Sequence, residues 1–539
     1  MNKQSSCIGL DIGGSHVCGA IVTNSVSASR QSEIIYKPLD TSGSSLAIVN
    51  IISHVISELI AQTTGRVIIG IAIPGPFNYE DGICEIYGVG GKFKNAFGLN
   101  LAEAFNNFGH LPEKNELYFA NDAHCFAVGV YRFLNLQSKF AVTISLGTGF
   151  GSAFLENGDL VFQHAGIPES GAFYCESFKN STADDYFSSR WFINEFKKVC
   201  GKEILSVKAL ALLAEEVMEA KIIFETFGAN LAEFLIPWLI KFDCGTLVIG
   251  GKIARAWHLF GEKFCEALVN SNCRTKVMFC DDTEECIITG AALLAKEKAS
   301  RVASSDHSNQ KIKQNYSYRE TLPPLFPPGN ETADHDSNLY PSFQIPIEKI
   351  ETGLDTLAKK IALNKKAIID GISVVCWTEF RKQLNTALVA QGTRPLWYEI
   401  TACLKGEDVI DEMIKESLND DDSVLGKELP GELIDFFDPQ KLALLKADTD
   451  ADISIVYGTG AALSNWDGPL VYLDVPKNEI QDQIKVESIT NPATSKLRDN
   501  RQMCSRFYFV NWSVLNRHMQ QLLPKIDHLV DEQCILGIT

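Results

Sequence analysis

The 15 cysteines include no C-x-x-C pair. Scattered singles speak against a disulfide framework and for reduced thiols, so a cytoplasmic location is expected. Bases are scarce beside acids: 49 Lys and Arg against 67 Asp and Glu give a net charge of −18. No basic stripe offsets that charge, so no nucleic-acid partner is expected. No uninterrupted apolar run approaches the roughly 18 residues that span a membrane. The start, "MNKQSSCIGLDIGG", has no apolar region of signal-peptide length. Neither a leader nor a membrane partner is therefore expected. A repeat of roughly 20–50 residues is also missing, which excludes solenoids and propellers.

What is present is a 539-residue chain whose hydrophobic share, 45%, and charged share, 22%, are those of globular proteins. Residues 8–22 read "IGLDIGGSHVCGAIV". An apolar strand meets Asp11, then Gly13, Gly14 and Ser15, and a second apolar strand follows. A dinucleotide fingerprint needs G-x-G-x-x-G, and a Walker loop needs a lysine after its second glycine; both are missing. The glycines therefore belong to a strand–turn–strand hairpin, and an ordinary hairpin is the plain reading of this stretch alone.

Strand and helix patterns alternate through residue 298, which indicates an α/β architecture. "SSLAIVNIISHVISELIAQ" (44–62) has helical spacing, "RVIIGIAIPGP" (66–76) is a buried strand ending in a turn, and 207–242 is a long helical stretch interrupted once. Near 299 the texture becomes polar, with Pro and Ser/Asn clusters, and 299–345 reads as a linker. A second globular section occupies 346–539.

Two more glycine clusters follow strands: "SLGTGFG" (145–151) after "FAVTI", and Gly250-Gly251 after "GTLVI". Before the first of these, "LYFANDAHCFAVGV" (117–130) is a strand that ends in Asn121-Asp122 and enters a helix. Each cluster alone is weak, but the order of all four is specific. In that order the sequence resembles the ROK family of sugar kinases and sugar-responsive repressors, in the actin-like ATPase superfamily, over about 5–298. "GLDIGGSHVCGAIV" and "SLGTGFGSAF" resemble its two phosphate loops, "GIAIPGPFNYEDG" its Pro-Gly-Pro segment and "ANDAHCFAVG" its catalytic-aspartate segment. "VIGGKIA" and "IITGAALLA" (287–295) resemble its adenosine-side elements. With only seven residues ahead of Ile8, the repressors' helix-turn-helix has no room, so the kinase branch is expected.

The resemblance implies ATP and Mg²⁺ as cofactors, held by Asp11, Gly13, Gly14, Ser15, Gly147, Thr148, Gly149, Gly151, Gly250 and Gly251. Glycine hairpins can turn backbone N–H groups toward phosphate oxygens. Asp11 would hold Mg²⁺ through water. Asp122 would take the proton of the attacking sugar hydroxyl, although a residue at a helix start can equally be an N-cap. Asn121, Asp122, Glu169 and Asp184 would bind a hexose.

The family's Glu-x-Gly-His signature is matched at Glu169 and Gly171, but Ala172 stands in place of the histidine. The Cys-rich knuckle is missing and Cys175 is alone, so no zinc site is expected. Asp184 replaces a glutamate. Lys92 and Lys94 in "GGKFKN" are within reach of the sugar cleft by position, but a solvated loop is the plainer reading.

In the second section, Gly371-Ile-Ser-Val-Val-Cys376-Trp377-Thr378 has the spacing of G-x-x-x-x-G-K-[ST] between strand and helix. It resembles a P-loop of nucleoside-kinase type in which Cys376 replaces glycine and Trp377 replaces the phosphate-neutralising lysine. A tryptophan there would fill the phosphate site, and a chance match of spacing is the alternative.

The expected architecture is therefore a two-lobed, actin-like (ribonuclease-H-like) α/β kinase, with lobes 1–122 and 123–298 and the last helix returning to the first lobe. A second α/β domain of P-loop-like topology follows over 346–539. The expected function is ATP-dependent phosphorylation of a hexose hydroxyl, at O6, by a homodimer. The alternative is a weakly active sugar-binding regulatory or scaffolding protein, suggested by Ala172 and the degenerate loop.

Overall fold

The glycine pair makes the hairpin that its sequence predicts. Ser6–Ile12 (β1) and His16–Val22 (β2) pair antiparallel and almost wholly buried, with Asp11 opposite Cys18. Gly13 N–H donates to the His16 carbonyl at 2.9 Å, leaving Gly14 and Ser15 as a two-residue turn. The structure is a computed structural model that describes residues 6–22, 32–87, 91–108, 116–313, 350–351, 353–418, 427–475 and 506–531. The chain divides into two compact units, Met1–Lys298 and Ala299–Thr539.

In the first unit, Ile35–Pro38 (β3), helix Ser45–Ile60 (α1), Val67–Ile73 (β4) and Glu116–Asn121 (β5) complete a sheet of order β3-β2-β1-β4-β5. α1 starts where Ser44 can cap it: the Ser44 hydroxyl accepts from Ala47 N–H at 3.3 Å. β1, β4 and β5 are parallel, and their register lines up Asp11, Ala72 and Ala120 across the sheet. The carboxyl ends of parallel strands are where α/β sheets bind ligands. Asp11 and the Asn121-Asp122 pair both lie there.

A second sheet repeats the first. Helix Asp122–Phe133 (α2) leads into the hairpin Phe140–Leu146 (β6) and Phe150–Glu156 (β7). Asp159–Leu160 (β8), helix Met218–Lys241 (α3), Thr246–Gly250 (β9) and Lys276–Phe279 (β10) follow, giving the order β8-β7-β6-β9-β10. Each lobe thus opens with a glycine hairpin and continues with two parallel strands, so the two phosphate-loop candidates occupy equivalent places. Residues 207–242 form two helices, Val207–Leu213 and α3. No uninterrupted apolar run reaches membrane-spanning length, yet α3 is long and apolar enough by length and composition to cross one. In this fold its Phe224, Phe227 and Phe234 are buried in an aromatic core with Phe150, Phe173 and Phe187. Rings there meet at offsets and edges, as at Phe192–Phe227, whose centroids are 4.6 Å apart.

Helix Thr283–Lys313 (α4) joins the lobes. An ideal Cβ on Gly9 of β1 would come within 1.9 Å of the Ile288 carbonyl oxygen, and one on Gly70 of β4 within 2.0 Å of that of Ala291. The helix therefore lies backbone-to-backbone on the first sheet, a distance only glycine permits. α4 also corrects the linker expected from 299, because the helix continues to Lys313. "SRVASSDHSNQKIK" contains no proline or glycine to stop it. The rest of the expected linker, 314–345, lies outside the described residues.

In the second unit, Lys366–Gly371 (β11), helix Trp377–Ala390 (α5), Pro395–Glu399 (β12), Ile453–Tyr457 (β13), Leu470–Asp474 (β14), helix Trp512–Leu522 (α6) and His528–Asp531 (β15) build an all-parallel sheet of order β12-β13-β11-β14-β15. Asp370, fully buried on the central strand, accepts hydrogen bonds from the N–H groups of Gly371 (2.7 Å), Gly460 (2.9 Å) and Ala462 (2.9 Å). His518 Nε2 meets Oδ2, the oxygen that also takes the Ala462 amide, at 2.9 Å.

Candidate active site

Asp11 and Asp122 sit at the carboxyl ends of β1 and β5, each beside a glycine hairpin. The helix that starts at Asp122 is capped by the residue before it. Asn121 Oδ1 accepts from Ala123 N–H (3.0 Å) and His124 N–H (3.4 Å), so the N-cap alternative for Asp122 falls to Asn121. Asp122, the first helical residue, accepts from the N–H of its neighbour Ala123 at 2.9 Å and from its own backbone amide. Asn121 Nδ2 donates to the Tyr79 hydroxyl at 3.1 Å, and that hydroxyl donates to the Ile73 carbonyl at 3.2 Å. The Pro-Gly-Pro turn thus pins Asn121 and leaves one amide hydrogen for a ligand.

Burial pushes the Asp11 carboxyl up to about 8, and the charges of Asp122 and Glu284 push the same way while Lys252 opposes them. Burial also raises Asp122 above the ordinary carboxylate value, against the pull of the Ala123 amide. Two buried carboxylates, one raised further by the charge of the other, are the electrostatic setting a divalent cation relieves. The donor set therefore fits Mg²⁺, which favours oxygen ligands and keeps several of its waters.

The turn Gly13–Ser15 is overlaid by a cation. A Cβ on Gly14 would fall 2.3 Å from Lys92 Nζ, so the lysine reading as a solvated loop is corrected for Lys92: the side chain is half-buried on the hairpin. Lys94 is exposed, as read. Burial lowers the Lys92 pKa, and Lys252 and Arg190 lower it further. Three cations, Lys92, Lys252 and Arg190 at the start of helix Ser189–Cys200, are therefore close enough to act on one another.

The second hairpin is braced from outside. Asp184 Oδ1 accepts from Phe150 N–H at 2.7 Å, its other oxygen binds Arg190, and Arg190 Nη1 donates to the Thr148 carbonyl at 2.9 Å. Both carboxylate oxygens of Asp184 thus hold the Gly147–Gly151 loop. A Cβ on Gly151 would approach the Ala123 Cβ at 3.1 Å, which sets this hairpin against the first turn of α2 beside Asp122. Gly250 and Gly251 have a packing reason for lacking a side chain: a Cβ would meet the Phe126 ring at 2.5 Å and the Leu146 carbonyl oxygen at 2.4 Å. Glu169 is exposed, and among the described residues no contact joins it to Asn121 or Asp122.

Sequence reading passed over His16, Cys18, Tyr79 and Glu284. Positions 16 and 18 share a face of β2 by simple alternation, a signal available in "SHVC". Glu284 is brought in by α4 and carries no such signal.

The profile of the ROK family matches residues 7–298, and that of a domain of unknown function matches 353–536. Among characterised relatives, N-acetyl-D-glucosamine kinase of Histophilus somni is 24% identical over 273 residues, covering 47% of this chain and 85% of that protein. The enzyme of the same name from Mannheimia succiniciproducens is 25% identical over 274 residues, covering 47% and 86%. Among solved structures, the ROK hexokinase of Thermus thermophilus aligns with TM-score 0.45 at 15% identity, over 55% of this chain and 99% of that one. A ROK family glucokinase from Streptomyces griseus, in complex with glucose and AMPPNP, aligns with TM-score 0.43 at 17% identity, over 54% and 100%.

Proposed function

The chain belongs to the ROK family, and from that premise we propose that its first unit is an ATP-dependent kinase that phosphorylates a hexose-class sugar at O6. The observation that carries this reading is the coupling of Asp11 to Asp122. One buried carboxylate on a glycine hairpin is raised by the charge of another at the end of β5, with β4 between them, at the carboxyl edge of one sheet.

In this reading the amides of Gly13, Gly14 and Ser15 and of Gly147, Thr148 and Gly149 hold phosphate oxygens, as backbone nests do. Gly250 and Gly251 shape the adenosine side, and Gly151 seats the second hairpin. Asp11 holds Mg²⁺ through water. Bound Mg-ATP supplies an electrophilic γ-phosphoryl group; positioning and charge neutralisation supply the rest of the catalysis. Asp122 accepts the hydroxyl proton as the sugar oxygen attacks the γ-phosphorus and ADP leaves. Asn121 and Glu169 receive the sugar's other hydroxyls, and Asp184 acts through the loop that it braces.

The relatives named N-acetyl-D-glucosamine kinases put N-acetylhexosamines beside plain hexoses as candidate substrates. Coupled ADP release over a panel of both classes tests the proposal, with turnover of at least one sugar expected. Sugar binding without turnover of any would favour the regulatory alternative.

We further propose that the second unit is a P-loop-like domain that has lost nucleotide binding. Counting strands in chain order from β11, its sheet runs 2-3-1-4-5, with the Gly371–Trp377 loop leaving the central first strand. The Trp377 ring turns back on that loop, its Cη2 lying 3.2 Å from where a Gly371 Cβ would be. An indole occupies the space a phosphate would need.

A further inference from the structure

His16, beside the first hairpin, has a chemistry that the kinase reading leaves unused. It is only 8% exposed, and its Nε2 is buried without a hydrogen-bond partner. An unpaired buried ring nitrogen costs desolvation energy and calls for an explanation. That nitrogen faces two carboxylates, 4.0 Å from Asp11 Oδ2 and 3.7 Å from Glu284 Oε1. Both separations are too long for hydrogen bonds. The ring is held where it is: it stacks on Tyr36 with centroids 5.2 Å apart, and its Cε1 lies 2.9 Å from where a Gly13 Cβ would be. Cys18 shares the face, and the donor atoms of Asp11, His16 and Cys18 all lie within 4.8 Å of one another.

We propose that Nε2 of His16, with the carboxylates of Asp11 and Glu284, forms a binding site for a divalent transition-metal ion at the base of the first glycine hairpin. Metal bonds of about 2.0–2.2 Å to imidazole nitrogen and carboxylate oxygen span N···O separations up to roughly 4 Å. An ion beside Nε2 can therefore bridge each of the two observed gaps, to Asp11 and to Glu284. The imidazole selects the class. Mg²⁺ is bound by oxygen ligands, whereas imidazole suits zinc, cobalt and similar ions. Ser15 Oγ stands 3.5 Å from His16 Nδ1, on the side where a proton on Nδ1 leaves Nε2 as the ligand. The missing cysteine knuckle has no bearing on this site, because its ligands come from two strands and a helix start rather than from a short spacing.

The site needs neither nucleotide nor sugar, so its test stands apart from that of the kinase reading. The full chain, stripped with chelator and kept free of nucleotide, is titrated with Co²⁺ and followed by visible absorption and calorimetry. One equivalent is expected to bind with d–d bands in the spectrum, and millimolar Mg²⁺ is expected not to displace it. His16→Ala and Glu284→Gln are each expected to weaken binding about tenfold or more. The Glu284 side chain is 48% exposed, so its variant keeps a readout even where a change at His16 disturbs the hairpin. Absence of saturable Co²⁺ binding by the wild type overturns the assignment. So does ready displacement by Mg²⁺, or an affinity within twofold of wild type in the folded variants.

Discussion

Gly290 of α4 faces Cys125 of α2 so closely that a Cβ on the glycine would lie 1.8 Å from the cysteine's carbonyl oxygen. The contact is reciprocal, since a Cβ on Gly129 would lie 1.8 Å from the carbonyl oxygen of Cys286. Neither obstacle is the tip of a flexible side chain, so neither can swing away. Helix α2 carries Asp122 at its start, and α4 carries Glu284. The crossing therefore fixes the distance between two sides of the site. Gly290→Ala is expected to destabilise the first unit by about 3 kcal/mol or more, at the upper end of overpacking costs. Denaturant unfolding checks this; a midpoint equal to wild type would mean the helices are farther apart than described.

Much of this geometry was legible beforehand and some was not. The hairpin at Gly13–Ser15, the strand ending at Asn121 and the break within 207–242 all follow from local pattern, and each is found. Local signals reported local structure. The bracing contacts of Asp184 carry no sequence signal, because its partners, Phe150 and Arg190, are chosen by tertiary packing that no spacing reveals. Lys92 was assigned to solvent for the same reason. Strand β13 ends at Tyr457 because Gly458 and Gly460, both at positive φ, turn the chain so that the amides of Gly460 and Ala462 reach Asp370.

Asp122→Asn is expected to lower kcat by ~10² or more while sugar affinity stays near wild type, because an amide cannot take the hydroxyl proton. Single-turnover phosphorylation and sugar titration separate the two effects. Turnover within a few-fold of wild type would remove Asp122 from the base role.

The pH dependence follows from the sign of the same shift. Burial raises the Asp122 carboxyl above its ordinary value of 3.8. Below that raised pKa the group is protonated and cannot accept a proton, so kcat/KM should fall with falling pH, with a midpoint above 3.8. The Asp122 part of the acid limb should be missing from the residual activity of Asp122→Asn, leaving the part that belongs to Asp11. A rate flat with pH down to the ordinary carboxylate range would contradict the burial described.

Lys92 offers a charge to the first hairpin that glycine amides alone do not. Lys92→Ala is expected to raise the KM for ATP about tenfold, the value of one charge-assisted contact, with a smaller effect on kcat. Lys94→Ala, at an exposed neighbour, serves as the control and should leave both constants unchanged.

The second unit should fail independently of the first. Asp370 is wholly buried and takes three backbone N–H donors as well as His518, so its removal strands four partners at once. Breaking a buried pair on one side costs about 3–5 kcal/mol, comparable with a small domain's entire stability. Asp370→Ala in the full chain should therefore abolish the melting transition of 353–531 while sugar phosphorylation by the first unit persists. Proteolysis followed by mass analysis would show cleavage confined to residues beyond Lys298. Loss of sugar phosphorylation together with that melting transition would mean that the units depend on each other for folding. Loss of the second unit with unchanged ATP affinity would fit a domain whose Trp377 already fills its own phosphate space, leaving the first unit's hairpins as the chain's sole nucleotide site.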